Sequence, residues 1–85
     1  MTYEILIERR AQRVLGKVVQ PQRDRIISAI RRLSQDPRPP GVRKLSGREA
    51  WRIRIGSYRV LYEIQDAKLV VLVVEVGDRR DVDRG

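Results

Sequence analysis

Three arginines fall within twelve residues. The stretch "WRIRIGSYRVLY", Trp51 to Tyr62, carries Arg52, Arg54 and Arg59, and no acidic residue lies between Ala50 and Tyr62. A guanidinium group presents a planar fork of donors that grips phosphate in bidentate fashion. From Arg43 to Arg59 there are six basic residues and one acid, Glu49. Lys44, Arg48, Arg52 and Arg54 are therefore candidates for binding phosphate. The sequence holds no histidine and no cysteine. A thiolate metal site is excluded, and the side chain that normally titrates near neutral pH is missing. Acid–base chemistry would have to use carboxylates, tyrosines or lysines, and no metal or cofactor is called for.

The formal net charge is +8, and arginine dominates over lysine, which appears only at Lys17, Lys44 and Lys68. Such a surface attracts polyanions, whether RNA, DNA or an acidic protein. A basic surface that serves only solubility is the plain alternative. The start "MTYEILIERR" has Glu4 and Glu8 inside its apolar run and no cationic lead. It does not read as a secretion signal, so a cytoplasmic location is expected. The longest apolar run, Leu69 to Val74, is too short to cross a membrane. At 85 residues, the expectation is one domain over 1–85.

Alternation in "TYEILIE" predicts a first strand, with Leu6 breaking the pattern. Ala11, Val14, Leu15 and Val18 have helical spacing. Pro21 fits the first position of a second helix, whose stripe is Ile26, Ile27, Ile30 and Leu33. Asp36-Pro37 should end it. "VRKLSG" is a short candidate strand, and "AWRIRI" and "YRVLYEI" flank the turn pair Gly56-Ser57. "KLVVLVVEVG" is apolar on both faces and should be a covered, central strand. The expected fold is α+β: an N-terminal strand and a helix hairpin packed on one face of a mostly antiparallel four- to five-stranded sheet.

A two-residue turn at Gly56-Ser57 sets the register. It places Arg54 opposite Arg59, Arg52 opposite Leu61 and Trp51 opposite Tyr62. Trp51, Ile53, Ile55, Tyr58, Val60 and Tyr62 then share a core-facing side, which takes the aromatics away from base stacking. Arg52, Arg54, Arg59 and Leu61 share the other side. Opposed arginines disfavour each other by up to about 1 kcal/mol, and a bound anion would relieve them. A merely solvated face is the alternative.

The run "KLSGREAWRIRIGSYRVLYEIQDAKLVVLVVEVGDRRDV" resembles the RelE/ParE superfamily of toxins from prokaryotic toxin–antitoxin modules, the RelE branch more closely. The pattern is a Lys-Leu-x-Gly start, a strand of alternating basic and apolar residues, Gly-x-Tyr-Arg-Val-x-Tyr, a hydrophobic strand and Val-Gly-x-Arg. The resemblance implies a small α+β toxin that enters the ribosomal A site, cuts mRNA there and is neutralised by a cognate acidic antitoxin. It puts the family's strand basics on Arg52 and Arg54, and its later arginines on Arg59 and Arg79. The chain departs from the pattern at its end. Asp83 stands where the family has a tyrosine that assists proton transfer, and Asp78 stands where many relatives have histidine or lysine.

Cleavage of RNA by its own 2′-hydroxyl requires that the hydroxyl lose a proton, that the phosphorane charge be stabilised and that the leaving oxygen gain a proton. Arginines suit the second task, and Arg59 and Arg79 are the candidates. Plain phosphate binding or antitoxin contact would use them equally well. A carboxylate near its ordinary pKa is a poor base. Asp83 fills the catalytic position only if its pKa is raised, and adjacent arginines lower it. A salt-bridge role for Asp78, Asp81 or Asp83 is the simpler one. The expectation is a weak ribosome-dependent endoribonuclease. A ParE-like gyrase inhibitor and an inactive homologue that only binds antitoxin are the alternatives. The predicted partners are the antitoxin, the ribosome and mRNA, with no membrane and no metal.

Overall fold

The computed structural model describes residues 2–78. Strand β1 (Glu4–Ile7) leads into helices α1 (Arg9–Lys17) and α2 (Gln22–Arg32). Strands β2 (Arg43–Lys44), β3 (Trp51–Ile55) and β4 (Tyr58–Gln65) follow. A short 3-10 turn, Asp66–Lys68, precedes β5 (Val70–Asp78). The five strands lie in the order β1-β5-β4-β3-β2. All neighbours are antiparallel except β1 and β5, which run parallel. The expected α+β arrangement is therefore the observed one, with five strands.

Both helices bury the stripes their spacing predicts: Ala11 and Leu15 of α1 with Val18 just after it, and Ile26 and Ile30 of α2 with Leu33 just after it. Pro21 caps α2 one residue before its first helical position, where its missing N–H still costs nothing. Asp24 in the first turn and Arg31 and Arg32 in the last complement the helix dipole. The helix closes before Asp36-Pro37, through short-range bonds such as Leu33 N–H to the Ile30 carbonyl at 3.0 Å.

The β3–β4 hairpin has the predicted register from Trp51↔Tyr62 to Ile55↔Tyr58. Gly56 takes φ +61°, the left-handed conformation that this two-residue turn demands. On the helix-facing side, Val60, Tyr62, Val71, Val73 and Val76 join the core, with Trp51, Ile53, Ile55, Tyr58 and Ile64 packed against it.

β5 holds one feature that alternation alone does not foresee. Leu61 pairs with Glu75 and Tyr62 pairs with Val73, so Val74 is an extra residue in the ladder. This bulge shifts the side-chain parity. Val71 and Val73 before it and Val76 after it all reach the core. Glu75 is turned to the opposite face, opposite Leu61. Without the bulge, Glu75 would point at the helices, where an unpaired charge is costly.

The connector after α2 is tied down by polar contacts. The buried Tyr62 hydroxyl donates to the Pro37 carbonyl at 2.7 Å, and burial pushes its pKa up. Arg38 pairs with Asp66 at 3.0 Å, and the Tyr3 hydroxyl donates to the same carboxylate at 2.7 Å. These two donors, Arg38 first, hold Asp66 below the usual carboxylate range. A group whose pKa is lowered by folding stabilises above its unfolded pKa, and that contribution is lost as pH falls through the folded value. Asp66→Asn is therefore expected to lower the urea midpoint slightly at neutral pH. The gap should close on acidification below the ordinary carboxylate range. An equal gap at both ends of the titration would show that the charge contributes nothing.

Candidate anion-binding face

The sheet face away from the helices is built by register. Arg43 of β2 pairs with Arg52 of β3, Arg52 with Leu61 of β4, and Leu61 with Glu75 of β5. The next row holds Arg54, Arg59 and Gly77. A further row carries Glu63 opposite Leu72, beside Leu6 of β1. The face is thus polarised: four arginines lie on β2, β3 and the start of β4, and Glu63 and Glu75 lie on the later part of β4 and on β5.

The arginines differ in burial. Arg54 is exposed and Arg52 is half-buried. Arg59 is only 6% exposed, and Leu61 beside it on β4 is also 6% exposed. This corrects the simple picture of a uniformly solvated outer face. β4 is the middle strand of five; on this face Leu61 lies between Arg52 and Glu75, and Arg59 between Arg54 and Gly77. The Arg54–Arg59 juxtaposition is real, and the burial of one member makes water a weaker screen between them.

Two predicted phosphate ligands lie elsewhere. Lys44 pairs in register with Trp51, which places it on the helix-facing side of the sheet. Its ammonium group bonds Glu49 at 3.3 Å and lies 6.0 Å from the centre of the Trp51 ring. Arg38 lies 4.9 Å from the centre of the same ring. Arg48 is exposed in the turn before β3. Arg43 is the β2 residue that shares the arginine face. The alternation of the two-residue strand β2 could have indicated this, but its register with β3 depends on the intervening loop. Arg79 and Asp83 lie outside the described residues.

Tyr62, Tyr3 and Asp66 offer no poised base. Tyr62 is buried, and its hydroxyl is committed to a backbone carbonyl. Tyr3 is held protonated by its bond to Asp66, which raises its pKa. Asp66 itself is held ionised by Arg38 and Tyr3, which makes it a weaker base. The face can attract and orient an anion and stabilise developing negative charge. Proton transfer is not supplied by these three groups.

This fold is that of small RelE-type toxins. The RelE of the archaeal RelE–RelB complex from Pyrococcus horikoshii is 26% identical and superimposes with a TM-score of 0.83, over 93% of this chain and 97% of that one. A mutant of E. coli toxin RelE in the free state is 27% identical, with a TM-score of 0.81 over 98% and 90% of the two chains. The intact E. coli RelBE toxin–antitoxin complex gives 28% identity and a TM-score of 0.79, over 89% and 95%. Among curated protein sequences there is no match. The family model for the ParE toxin of type II toxin–antitoxin systems, parDE, matches residues 5–82. The chain belongs to this toxin family, within the RelE/ParE superfamily.

Proposed function

We propose that this toxin acts on the ribosome as an mRNA endonuclease of modest intrinsic power, in the cytoplasm, and that a cognate acidic antitoxin neutralises it. The observation that carries the reading is the arginine cluster, Arg43, Arg52, Arg54 and the buried Arg59, on one half of one sheet face. Exposed Arg54 and half-buried Arg52 would track the RNA backbone. Arg59 sits where a fixed positive charge is screened least by water, which suits stabilisation of a phosphorane. Arg79 would add a second cation, and Asp83 would move the proton if its pKa is raised there. With no histidine in the chain, the chemistry would lean on the ribosome to position the 2′-hydroxyl. Similarity to complexes of RelE with RelB supports an antitoxin partner. The net charge of +8 favours an acidic one.

The match to the ParE family model favours a second reading, in which the chain inhibits DNA gyrase without cutting RNA. Expression of the chain alone, followed by mapping of mRNA 5′ ends, separates the two. New ends within translated codons are expected. Intact mRNA accompanied by DNA damage would transfer the function to gyrase.

A further inference from the structure

The bulge at Val74 sets a carboxylate beside the buried arginine. Glu75 pairs with Leu61, and Arg59, two residues earlier on β4, pairs with Gly77. Glu75 and Arg59 are therefore diagonal neighbours on the arginine face. Their Cβ atoms are about 7 Å apart, a spacing that long side chains bridge. Gly77, beside Arg59 in the ladder, has no side chain to stand between them. Glu63 shares the face but lies four residues along β4 from Arg59, about 13 Å away. β1 pairs with β5 only as far as Val73, so no strand among the described residues flanks Glu75 on that side. An open cleft of about 330 Å³ runs there between α1 and the end of β5, with Arg10, Glu75 and Asp78 among its walls. Glu75 itself is half-buried, so it is held by its strand and still reachable from solvent.

We infer that Glu75 is the general base of the proposed RNA cleavage, taking the proton of the 2′-hydroxyl while Arg59 holds the phosphate next to it. The inference rests on the reading of the chain as an mRNA endonuclease, and it supplies at that site the proton acceptor that Tyr3, Tyr62 and Asp66 do not. A carboxylate is ionised at neutral pH and so stands in its accepting form. It is a weaker base than an imidazole, which accords with an enzyme of modest power. The step balances with water as the only other reactant. The 2′-hydroxyl gives its proton to Glu75 as its oxygen bonds to phosphorus, and Arg59 faces the charge that builds on the phosphorane. The bond from phosphorus to the 5′-oxygen breaks, and that oxygen takes a proton from solvent water. The hydroxide so formed recovers the proton from Glu75. The products are a 2′,3′-cyclic phosphate and a 5′-hydroxyl. Electrostatics alone gives Glu75 the opposite effect, since a negative charge beside a phosphate site repels RNA. The two roles therefore differ in sign.

The test uses the full chain on ribosomes programmed with a defined mRNA. Single-turnover cleavage is followed over a range of toxin concentrations, so that the maximal rate and the half-saturating concentration are read apart. Glu75→Gln is expected to lower the maximal rate by about 10²- to 10⁴-fold, the usual share of a general base. Its half-saturating concentration should stay the same or fall, because a charge that repels RNA is gone. Glu75→Asp keeps the carboxylate on a shorter arm and should recover part of the rate. Glu63→Gln removes the other carboxylate near the arginines and should leave the rate unchanged. Urea midpoints equal to that of the parent chain show that the variants are folded. A maximal rate in Glu75→Gln that equals or exceeds the parent's would overturn the inference and leave Glu75 as a charge that only tempers RNA binding. A loss in Asp83→Asn with Glu75→Gln intact would move the base to the end of the chain and overturn it equally. In both cases the parent still cuts mRNA, so the functional reading stands. A parent chain that makes no cut would remove that reading and this inference together.

Discussion

Arg59→Ala is expected to reduce mRNA cleavage on the ribosome by about 10²- to 10³-fold, the loss typical of removing one preorganised charge from a transition state. The expectation rests on where the guanidinium sits. Arg59 lies on the central strand and is 6% exposed. Its position is set by pairing with Arg54 on one side and Gly77 on the other. Water screens a charge so placed only weakly. Arg54→Ala should cost less, since Arg54 is exposed and its attraction to phosphate is shared with solvent ions. Lys44→Ala should leave cleavage unchanged, because Lys44 lies on the other side of the sheet beside Glu49. Arg59→Lys separates charge from geometry, since it keeps the charge and removes the fork. Circular dichroism and retained antitoxin binding control for folding. Undiminished cleavage in a folded Arg59→Ala protein would remove Arg59 from the chemistry.

Tyr62→Ala is expected to remove a large share of the stability of the domain. Tyr62 is fully buried in the middle of the core, and its hydroxyl bonds the Pro37 carbonyl at 2.7 Å. Truncating a buried aromatic ring costs about 3–5 kcal/mol. A chain of 85 residues has about 4–13 kcal/mol in total. Tyr62→Phe keeps the ring and removes only the donor. It should cost about 1–3 kcal/mol, the penalty of leaving the carbonyl of a buried residue unsatisfied. Urea unfolding of both variants tests the ordering. Equal midpoints for Tyr62→Phe and the parent chain would mean that the carbonyl finds water instead.

Features that depend on nearby residues were legible in the sequence. The hairpin register from Trp51 to Tyr62 follows from a glycine turn and strict alternation, and the structure reproduces it. The stripes of α1 and α2 follow from spacing alone, because helical side chains within a few residues share a face. The likeness to the RelE/ParE toxins rested on the same local run, and the family match spans residues 5–82.

Three things were decided only by distant pairing. The bulge at Val74 turns Glu75 out of the core and onto the arginine face, because β4 and β5 slip by one residue between Leu61 and Tyr62. Alternation cannot show where a ladder slips. The register of β2 against β3 gives Arg43 to the arginine face and Lys44 to the Trp51 side, across a loop whose length alone does not set parity. The burial of Arg59, between exposed Arg54 and Gly77 on the neighbouring strands, is likewise a property of the assembled structure. The amino-acid sequence determined which residues would be arginines on a strand. Only the tertiary structure determined which arginine loses its water, since alternation assigns Arg52, Arg54 and Arg59 to one face without ranking their burial.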